Sequence, residues 1–331
     1  MTNRNPITVR ELGEQGLLQL LQRFCPAQIV GDDAAVLPPK TGYEWVVTTD
    51  VLVDGVHFSD RTMPPEALGW RAAAVNLSDL AAMGAEPVGV TIGLGLPEQT
   101  RVEWVQSVYT GFSQCLEVWG GVILGGDVVR SPQPMISVTA IGEVLPENKI
   151  LRTSAQPGDA IVVTGYHGGS RAGLELLLHP RWGQDLTAAR QSELIQIHQR
   201  PAPRLDVVRL LQGQRCSGMD SSDGLADALL QICRASGVGA TIIGDRIPLH
   251  PALLETQFLG PKESLDWGLY GGEDFELVLT MFQHEAASLC ERLPAGAAII
   301  GEVVSGSGVN LLCQGETLPL SLDQGFQHWS Q

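Results

Sequence analysis

Residues 65–96, PEALGWRAAAVNLSDLAAMGAEPVGVTIGLGL, decide the fold class because a helical pattern in them passes directly into a strand pattern. The spacing predicts a helix over Pro65–Gly84, with proline at its start and glycine marking its end. Residues Val88–Leu96 are rich in valine, isoleucine and threonine and predict a strand. A helix followed at once by a strand indicates a mixed α and β protein.

The rest of the chain continues this alternation. Further strands are predicted at Trp45–Thr49, Val122–Leu124, Met135–Glu143, Ala160–Thr164, Ala240–Ile243, Phe275–Thr280 and Ala298–Val304. Further helices are predicted at Val102–Trp119, from about Ser170 to His179, at Leu205–Leu211 and at Gly224–Ala235. The turn-rich stretches Pro146–Lys149 and Pro157–Asp159 mark the best boundary between two domains, while Pro180–Gln199 is polar and stays unassigned.

The charge of the chain excludes several classes of partner. Among 331 residues, 21 Lys and Arg stand against 37 Asp and Glu, which gives a formal charge of −16. Because such a field repels phosphates, nucleic acid and anionic membranes are not expected as main partners, although a phosphorylated metabolite accompanied by divalent cations is compatible with it. The sequence has no secretory signal, no apolar run of membrane-spanning length and no CxxC pair among its six cysteines. We therefore expect a reduced, cytoplasmic protein.

Seven aspartates stand beside Gly, Ser or Thr in short, turn-like settings. They are Asp32, Asp33, Asp50, Asp79, Asp127, Asp220 and Asp223. Each is expected at the end of an apolar strand or on the polar side of an apolar helix, where a carboxylate is costly unless a cation or donor satisfies it. Hard oxygen ligands without a Cys or His cluster suit Mg²⁺, and several ions would offset the repulsion among the carboxylates. For any single one of these residues, a turn or helix cap is the alternative.

Some of these acids belong to a wider pattern. Asn76 and Asp79 are three residues apart and therefore share one helix face. Asp223 stands directly before a predicted helix, where capping alone would explain it. Capping does not explain Asp220 or Ser222, which alternate on one side of an extended entry to that helix.

Familiar catalytic motifs are weak or absent in the sequence. The loop Gly165–Ser170 joins a strand to a helix, where backbone N–H groups can cradle phosphate, but a tight turn is the alternative. It lacks the lysine of a GxxxxGK[ST] loop, so metal ions would have to neutralise most of a nucleotide's phosphate charge. There is no GxSxG elbow and no cysteine with an obvious histidine partner. His57, in DGVHF, is the only histidine inside a dense polar motif, and we expect it to bind a ligand.

Several motifs, taken in order, resemble those of the thiamine-monophosphate kinase family in the aminoimidazole ribonucleotide synthetase-like superfamily. They are GDDAAV, TTD with GVHF, NLSDLAAMGAEP, GGDVVRSP, RTSAQPGD, DSSDGL and GGEDFELVLT, and the resemblance runs from about Gly31 to Phe326. It implies an α/β (α+β), two-domain aminoimidazole ribonucleotide synthetase-like fold. Residues 1–149 would form an N-terminal ferredoxin-like sheet domain that binds ATP and Mg²⁺ and dimerises, and residues 150–331 a C-terminal α/β domain that completes the substrate site.

The resemblance also implies an activity and a set of roles. A homodimer with several Mg²⁺ ions would use ATP to convert thiamine monophosphate to thiamine diphosphate. The implied magnesium ligands are Asp33 (or its neighbour Asp32), Thr48 or Thr49, Asp50, Asp79, Asp127, Asp220 and Asp223. The implied contacts with ATP are Tyr109, Gly126, Asp127, Arg152 and Ser222. Thiamine monophosphate would contact His57, Glu273 and Phe326, with Trp329 as a candidate for the same role, and Asp127, Arg152 and Asp223 would be catalytic.

Elementary chemistry agrees with this set of residues. A phosphate monoester is already an anionic nucleophile, so its attack on a γ-phosphoryl group needs positioning and charge neutralisation rather than a general base. Arg152 would stabilise the transferring group, although a salt bridge to Asp159 is the alternative.

Other readings of the same residues remain. Selenophosphate synthetase and aminoimidazole ribonucleotide synthetase share the superfamily. Cys25, in RFCPAQ, does not resemble the reactive segment of the first, and GVHF with GGEDFEL fits the thiamine enzyme better than the second. A non-enzymatic module that binds divalent cations or nucleotide is the alternative from a different class.

Overall fold

The computed structural model describes residues 7–26, 35, 37–38 and 40–325. These fall into two compact units. The first contains the described residues up to Leu80 together with Glu86–Leu145, and the second contains Ala81–Ala85 and the described residues from Pro146 onwards. Both units combine helices with a sheet, so the predicted mixed α/β class with two domains is confirmed. Within the described ranges, each helix is too short or too polar to cross a bilayer.

The first unit is a four-stranded sheet with helices on one face. Its elements are α1 (Val9–Leu21), β1 (Glu44–Val53), α2 (Pro65–Ala82), β2 (Glu86–Leu96), α3 (Val102–Trp119), β3 (Val122–Arg130) and β4 (Met135–Val144). The strand order is β1-β4-β2-β3, with β2 and β3 parallel and the other neighbours antiparallel. The strands β1 and β3 therefore form opposite edges of the sheet.

Only one face of this sheet is buried. In β4, alternate side chains such as Ile136 and Val138 are fully buried at 0% exposure. In the edge strand β1, Trp45, Val47 and Val51 are 45%, 62% and 43% exposed. Because successive side chains of a strand point to opposite faces, the alternate residues Val46, Thr48 and Asp50 point towards the covered side.

Helices α2 and α3 approach each other to backbone contact. A Cβ built on Gly69 would lie 1.8 Å from the carbonyl oxygen of Val108, and one built on Gly111 would lie 1.8 Å from that of Glu66. No side chain fits at such a distance, so each helix presents a glycine where the backbone of the other passes. These two glycines set the separation of α2 and α3.

The second unit is built on a seven-stranded mixed sheet. Its strands are β5 (Ala160–Val163), β6 (Cys216–Asp220), β7 (Gly239–Ile243), β8 (Leu277–Met281), β9 (Ala298–Val304), β10 (Gly308–Cys313) and β11 (Glu316–Pro319). Its helices are α4 (Gly169–Leu178), α5 (Ala188–Gln199), α6 (Leu205–Val208), α7 (Leu225–Ser236), α8 (Pro251–Glu255), α9 (Pro261–Tyr270) and α10 (Gln283–Arg292). The strand order is β11-β10-β7-β9-β5-β8-β6, and only β7 and β10 pair in parallel.

Several sequence predictions need correction. The strand β6 and the helix α1 were not predicted, although Thr8 and Glu11 form a capping box at the start of α1 that the sequence displays. The predicted helix Leu205–Leu211 ends at Val208. The strand predicted from Phe275 begins two residues later, at Leu277, because Phe275 has a positive φ of 53° that a strand residue does not adopt.

We expect Gly111→Ala to destabilise the protein by about 1–3 kcal/mol, because the added methyl group forces α2 and α3 apart. Urea unfolding followed by circular dichroism measures the change. The matched control is Glu117→Ala, an exposed position on the same helix, whose effect is expected to stay within about 0.5 kcal/mol. Equal stability of the Gly111→Ala variant and the wild type would show that the helices separate without cost.

Candidate active site

In the first unit, helix α2 and strand β1 bring three predicted magnesium ligands together. The hydroxyl of Thr48 donates a hydrogen bond to the carboxylate of Asp79. The side-chain oxygen of Asn76, one turn earlier on α2, accepts the N–H of Asp50 at 3.2 Å. The prediction that Asn76 and Asp79 share a helix face is therefore confirmed, and that face lies over Thr48 and Asp50.

The choice between Thr48 and Thr49 follows from the alternation of β1. Thr49 is exposed, and its hydroxyl lies 2.8 Å from that of Thr139 on β4. Thr48 instead contacts Asp79 on the covered face. Of the two threonines, the structure places Thr48 beside the acids of this group.

Two aspartates do not have the turn-like setting that the sequence predicted. Asp50 lies inside β1 and Asp127 lies inside β3, because both strands continue beyond the predicted ends. Asp127 is exposed, and its carboxylate accepts the N–H of Val128 at 2.9 Å. As β1 and β3 are the two edges of the sheet, Asp127 is three strand spacings, about 14 Å, from β1. The structure therefore does not bring Asp127 next to Asp50.

The other predicted ligand-binding residues of the first unit are Gly126, Tyr109 and His57, and each has different contacts. Gly126 is paired with Ile92 of β2, and a Cβ there would lie 2.0 Å from the Ile92 oxygen, so only glycine fits. Tyr109 is 3% exposed, its ring packs 5.3 Å from that of Phe24, and burial raises the pKa of its hydroxyl. The ring nitrogen Nδ1 of His57 accepts the N–H of Val53 at 3.1 Å, which leaves Nε2 to carry the proton of a neutral ring.

In the second unit, the predicted acid pair lies where β6 meets α7. Asp220 is the last residue of β6, and its carboxylate accepts the hydroxyl of Ser222 at 3.1 Å. The N-cap residue of α7 is Gly224, with φ 110°, rather than Asp223. The interpretation of Asp223 as a helix cap is therefore wrong.

The backbone joins these acids to the GGEDFE segment. Ser221 donates its N–H to the carbonyl of Glu276 at 2.8 Å, and the N–H of Glu276 donates to the Ser221 hydroxyl at 3.1 Å. The N–H of Glu273 donates to the carbonyl of Ser222 at 2.6 Å. The two segments therefore form a single hydrogen-bonded group.

This group is held by a buried arginine, Arg204, which was not predicted from the sequence. Arg204, 6% exposed, donates to the carboxylate of Glu276 and, at 2.7 Å, to the carbonyl of Thr164. Its other nitrogens bond to both carboxylate oxygens of Asp206 at 3.1 Å. Burial raises the pKa of Glu276, and the charge of Arg204 opposes that shift. Sequence position gave no signal for Arg204, because its partner lies 72 residues away.

The glycine-rich loop before α4 has an internal partner. The N–H groups of Gly168 and Ser170 donate to the carboxylate of Asp274 at 2.7 and 2.9 Å. Asp274 is 8% exposed, and burial raises its pKa to about 7, against the effect of these two N–H groups. The loop thus uses its donors on a protein carboxylate, which favours the turn alternative over a phosphate cradle.

Arg152 does not form the salt bridge that was its alternative role. Its guanidinium donates to the side-chain oxygen of Gln231 at 2.6 Å. Asp159 instead pairs with Arg215, with one of the two hydrogen bonds at 3.0 Å. The interpretation of Arg152 as a partner of Asp159 is therefore wrong.

Some predicted positions lie outside the described residues. These are Asp32, Asp33, Phe326 and Trp329. Within the part of the chain that the structure describes, no group of three or more His, Cys, Asp or Glu side chains forms a metal site by itself. The hydroxyl and carboxylate oxygens of Thr48, Asp50 and Asp79 are nevertheless the donor type that Mg²⁺ prefers, and two of them already touch.

Comparison with known proteins first identifies the class of protein to which the chain belongs. Residues 31–144 match the N-terminal domain of AIR synthase related proteins, and residues 156–314 match their C-terminal domain. The thiamine-monophosphate kinase of Synechococcus elongatus is 50% identical over 330 residues, which are 98% of each chain. The chain therefore belongs to the thiamine-monophosphate kinase family.

Solved structures agree with this assignment. The thiamine-monophosphate kinase from Stenotrophomonas maltophilia superposes with a TM-score of 0.78 at 35% identity, over 87% of this chain and 90% of that one. AaThiL complexed with AMPPCP and TMP superposes with a TM-score of 0.75 at 33% identity, over 96% of this chain and 99% of that one. Both likenesses span the two units.

We expect part of the stability of the protein to be lost between pH 6.5 and 4 because of His167. This ring is fully buried, which lowers its pKa to about 4 although a contact with the Gly165 carbonyl raises it. As pH falls below 6.5, the unfolded chain binds a proton that the folded chain does not bind. This difference lowers the free energy of unfolding by about 2 kcal/mol between pH 7 and pH 5.

Thermal unfolding at pH 7 and pH 5 measures this loss. His167→Gln is expected to lose less stability than the wild type over this interval, whereas His284→Gln, at an exposed position in the same unit, is expected to behave as the wild type. An identical pH dependence in wild type and His167→Gln would contradict the assignment to His167.

Proposed function

We propose that the protein transfers the γ-phosphoryl group of ATP to thiamine monophosphate and releases thiamine diphosphate and ADP. One observation carries the proposal. The chain matches, over 96% of its length, a structure that holds AMPPCP and TMP, whose names denote a non-hydrolysable ATP analogue and thiamine monophosphate. The 50% identity with a curated kinase over nearly the whole chain supports the same reaction.

The chemistry of the reaction suits the residues present. An oxygen of the substrate's phosphate attacks the γ-phosphorus of ATP, the bond from that phosphorus to the β,γ-bridging oxygen breaks, and ADP leaves with the electron pair. Because the attacking group is already anionic, the protein has to align two phosphates and neutralise their charge. We assign the charge stabilisation to Arg152, with Asp127 and Asp223 as the other catalytic residues.

We propose Mg²⁺ as the counter-ion for these phosphates. When bound, it would neutralise phosphate oxygens and so lower the repulsion between the two substrates. Several Mg²⁺ ions would be held by Thr48, Asp50 and Asp79 in the first unit, Asp127 on β3, Asp220 and Asp223 in the second unit, and Asp33. The contact between Thr48 and Asp79 supports the first of these groups.

The remaining roles are proposals of the same kind. We propose that Tyr109, Gly126, Arg152 and Ser222 contact ATP, and that His57, Glu273 and Phe326 contact thiamine monophosphate. We also propose that residues 1–149 bind ATP and metal and that residues 150–331 complete substrate binding. The protein would act in the cytoplasm, in keeping with six cysteines that are all free thiols in the structure.

We expect the purified protein, supplied with ATP and Mg²⁺, to convert thiamine monophosphate to thiamine diphosphate, with no phosphorylation of free thiamine or of aminoimidazole precursors. Chromatography of the product measures the conversion. In Asp127→Asn, loss of one charge is expected to lower kcat by about 100-fold or more.

The matched control is Asp245→Asn, an exposed aspartate outside every predicted site, which is expected to retain wild-type kcat. If magnesium-dependent ATP binding occurs without any thiamine diphosphate, the substrate assignment is wrong. If the precursor of another superfamily enzyme is consumed instead, the protein is that enzyme.

We further propose that the enzyme is a homodimer formed through the uncovered face of the first sheet. The exposed apolar residues Trp45, Val47 and Val51 support this surface, since they form a row along the edge strand β1. Burying such a row against a second copy removes apolar area from water.

Val47→Glu is expected to convert the dimer into monomers, because the new carboxylate would be buried without a partner. Light scattering during gel filtration measures the mass, which is 35.4 kDa for one chain. Val118→Glu, at a position 63% exposed on α3, serves as the control and is expected to remain dimeric. A dimeric Val47→Glu variant would show that the dimer contact lies elsewhere. A monomeric wild type would show that the protein does not form this dimer.

A further inference from the structure

The segment that carries Glu273 has an unusual backbone. Glu273 and Phe275 adopt left-handed φ values of 61° and 53°, and Gly272 before them has φ 66°. Residues other than glycine rarely adopt this conformation, because their Cβ then crowds the backbone. Two of them within three positions persist only when surrounding contacts hold them in place.

Asp274, between these two residues, supplies such a contact. Its two carboxylate oxygens accept the N–H groups of Gly168, the N-cap of α4, and of Ser170 in the first turn, at 2.7 and 2.9 Å. Both bonds come from backbone N–H groups, and the positive end of the helix dipole favours the ionised form of the side chain. With 8% exposure, the carboxylate has little access to water that would replace these donors.

The same helix turn also reaches the side chain of Glu273. The hydroxyl of Ser170 lies 3.1 Å from Nδ1 of His198, and this nitrogen lies 3.6 Å from a carboxylate oxygen of Glu273. His198 is 2% exposed, whereas the side chain of Glu273 keeps 36% of its surface exposed. The start of α4 therefore bonds directly to the Glu273 segment through Asp274, and through Ser170 it contacts the histidine whose ring nitrogen lies near the Glu273 carboxylate.

We propose that Asp274 is a positioning residue for substrate binding, which anchors the left-handed segment on α4 so that the Glu273 carboxylate is held towards the cationic ring system of thiamine monophosphate. This inference rests on the proposed function, in which Glu273 contacts that substrate. Asp274 itself does not touch the substrate. Its effect is expected on the recognition of thiamine monophosphate and not on that of ATP.

The decisive variant is Asp274→Asn, which keeps the size of the side chain but turns one acceptor into an NH₂ group facing a backbone N–H. We expect KM for thiamine monophosphate to rise about tenfold or more, while KM for ATP changes less than about twofold. Asp185→Asn is the matched control. Asp185 also accepts a backbone N–H, from Gln257 at 2.6 Å, but it lies on the surface, and we expect wild-type constants for this variant.

A double-mutant cycle separates positioning from a purely structural role. If Asp274 acts through Glu273, Asp274→Asn adds nothing further to KM in a Glu273→Gln background. Ser170→Ala gives a second test if Asp274→Asn does not fold. It removes only the hydroxyl that contacts His198, and it is expected to raise KM for thiamine monophosphate in the wild-type background and not in the Glu273→Gln background.

The outcomes distinguish this inference from the function on which it rests. Additive effects on KM, or equal increases in KM for both substrates, would overturn the positioning role while the kinase activity of the wild type stands. A wild type that forms no thiamine diphosphate would overturn the proposed function and this inference together.

Discussion

Ser221 and Glu276 bond to each other twice, through one backbone carbonyl and one hydroxyl, and the functional part of the second unit is built around this contact. It ties the end of β6 and the following loop, which carry Asp220 and Asp223, to the segment that carries Glu273. The buried guanidinium of Arg204 then neutralises Glu276 where the two segments meet. A displacement of either segment would leave buried donors and acceptors without partners, which is costly enough to keep both in register.

The first unit depends on close packing in the same way. Gly69 and Gly111 let α2 and α3 touch along their backbones, so α2 is held by its neighbour as well as by the sheet. Asn76 and Asp79 then meet the alternate residues of β1 that face the helix. The aspartates of the first unit are therefore positioned by contact between two helices. Those of the second unit are positioned by hydrogen bonds between two loop segments.

The sequence predicted what depends on local periodicity and could not predict what depends on distant partners. The helix Val102–Trp119 and the strand Ala298–Val304 were predicted with the observed bounds, because their patterns are strong and their ends are marked. The strand predicted from Phe275 was wrong because the apolar pattern continues through residues whose backbone is left-handed. Asp274 carries no local signal either, since the N–H groups that it accepts lie more than 100 residues earlier in the chain.

The N–H groups at the start of α4 already bind the side chain of Asp274, which is covalently part of the protein. A free phosphate or sulfate ion would have to displace a carboxylate whose effective concentration at that place is set by the fold and not by the solution. Helix ends of this kind usually attract such ions. Here we expect buffer anions to leave this loop unoccupied even at high concentration, so competition by inorganic phosphate would report on the substrate sites alone.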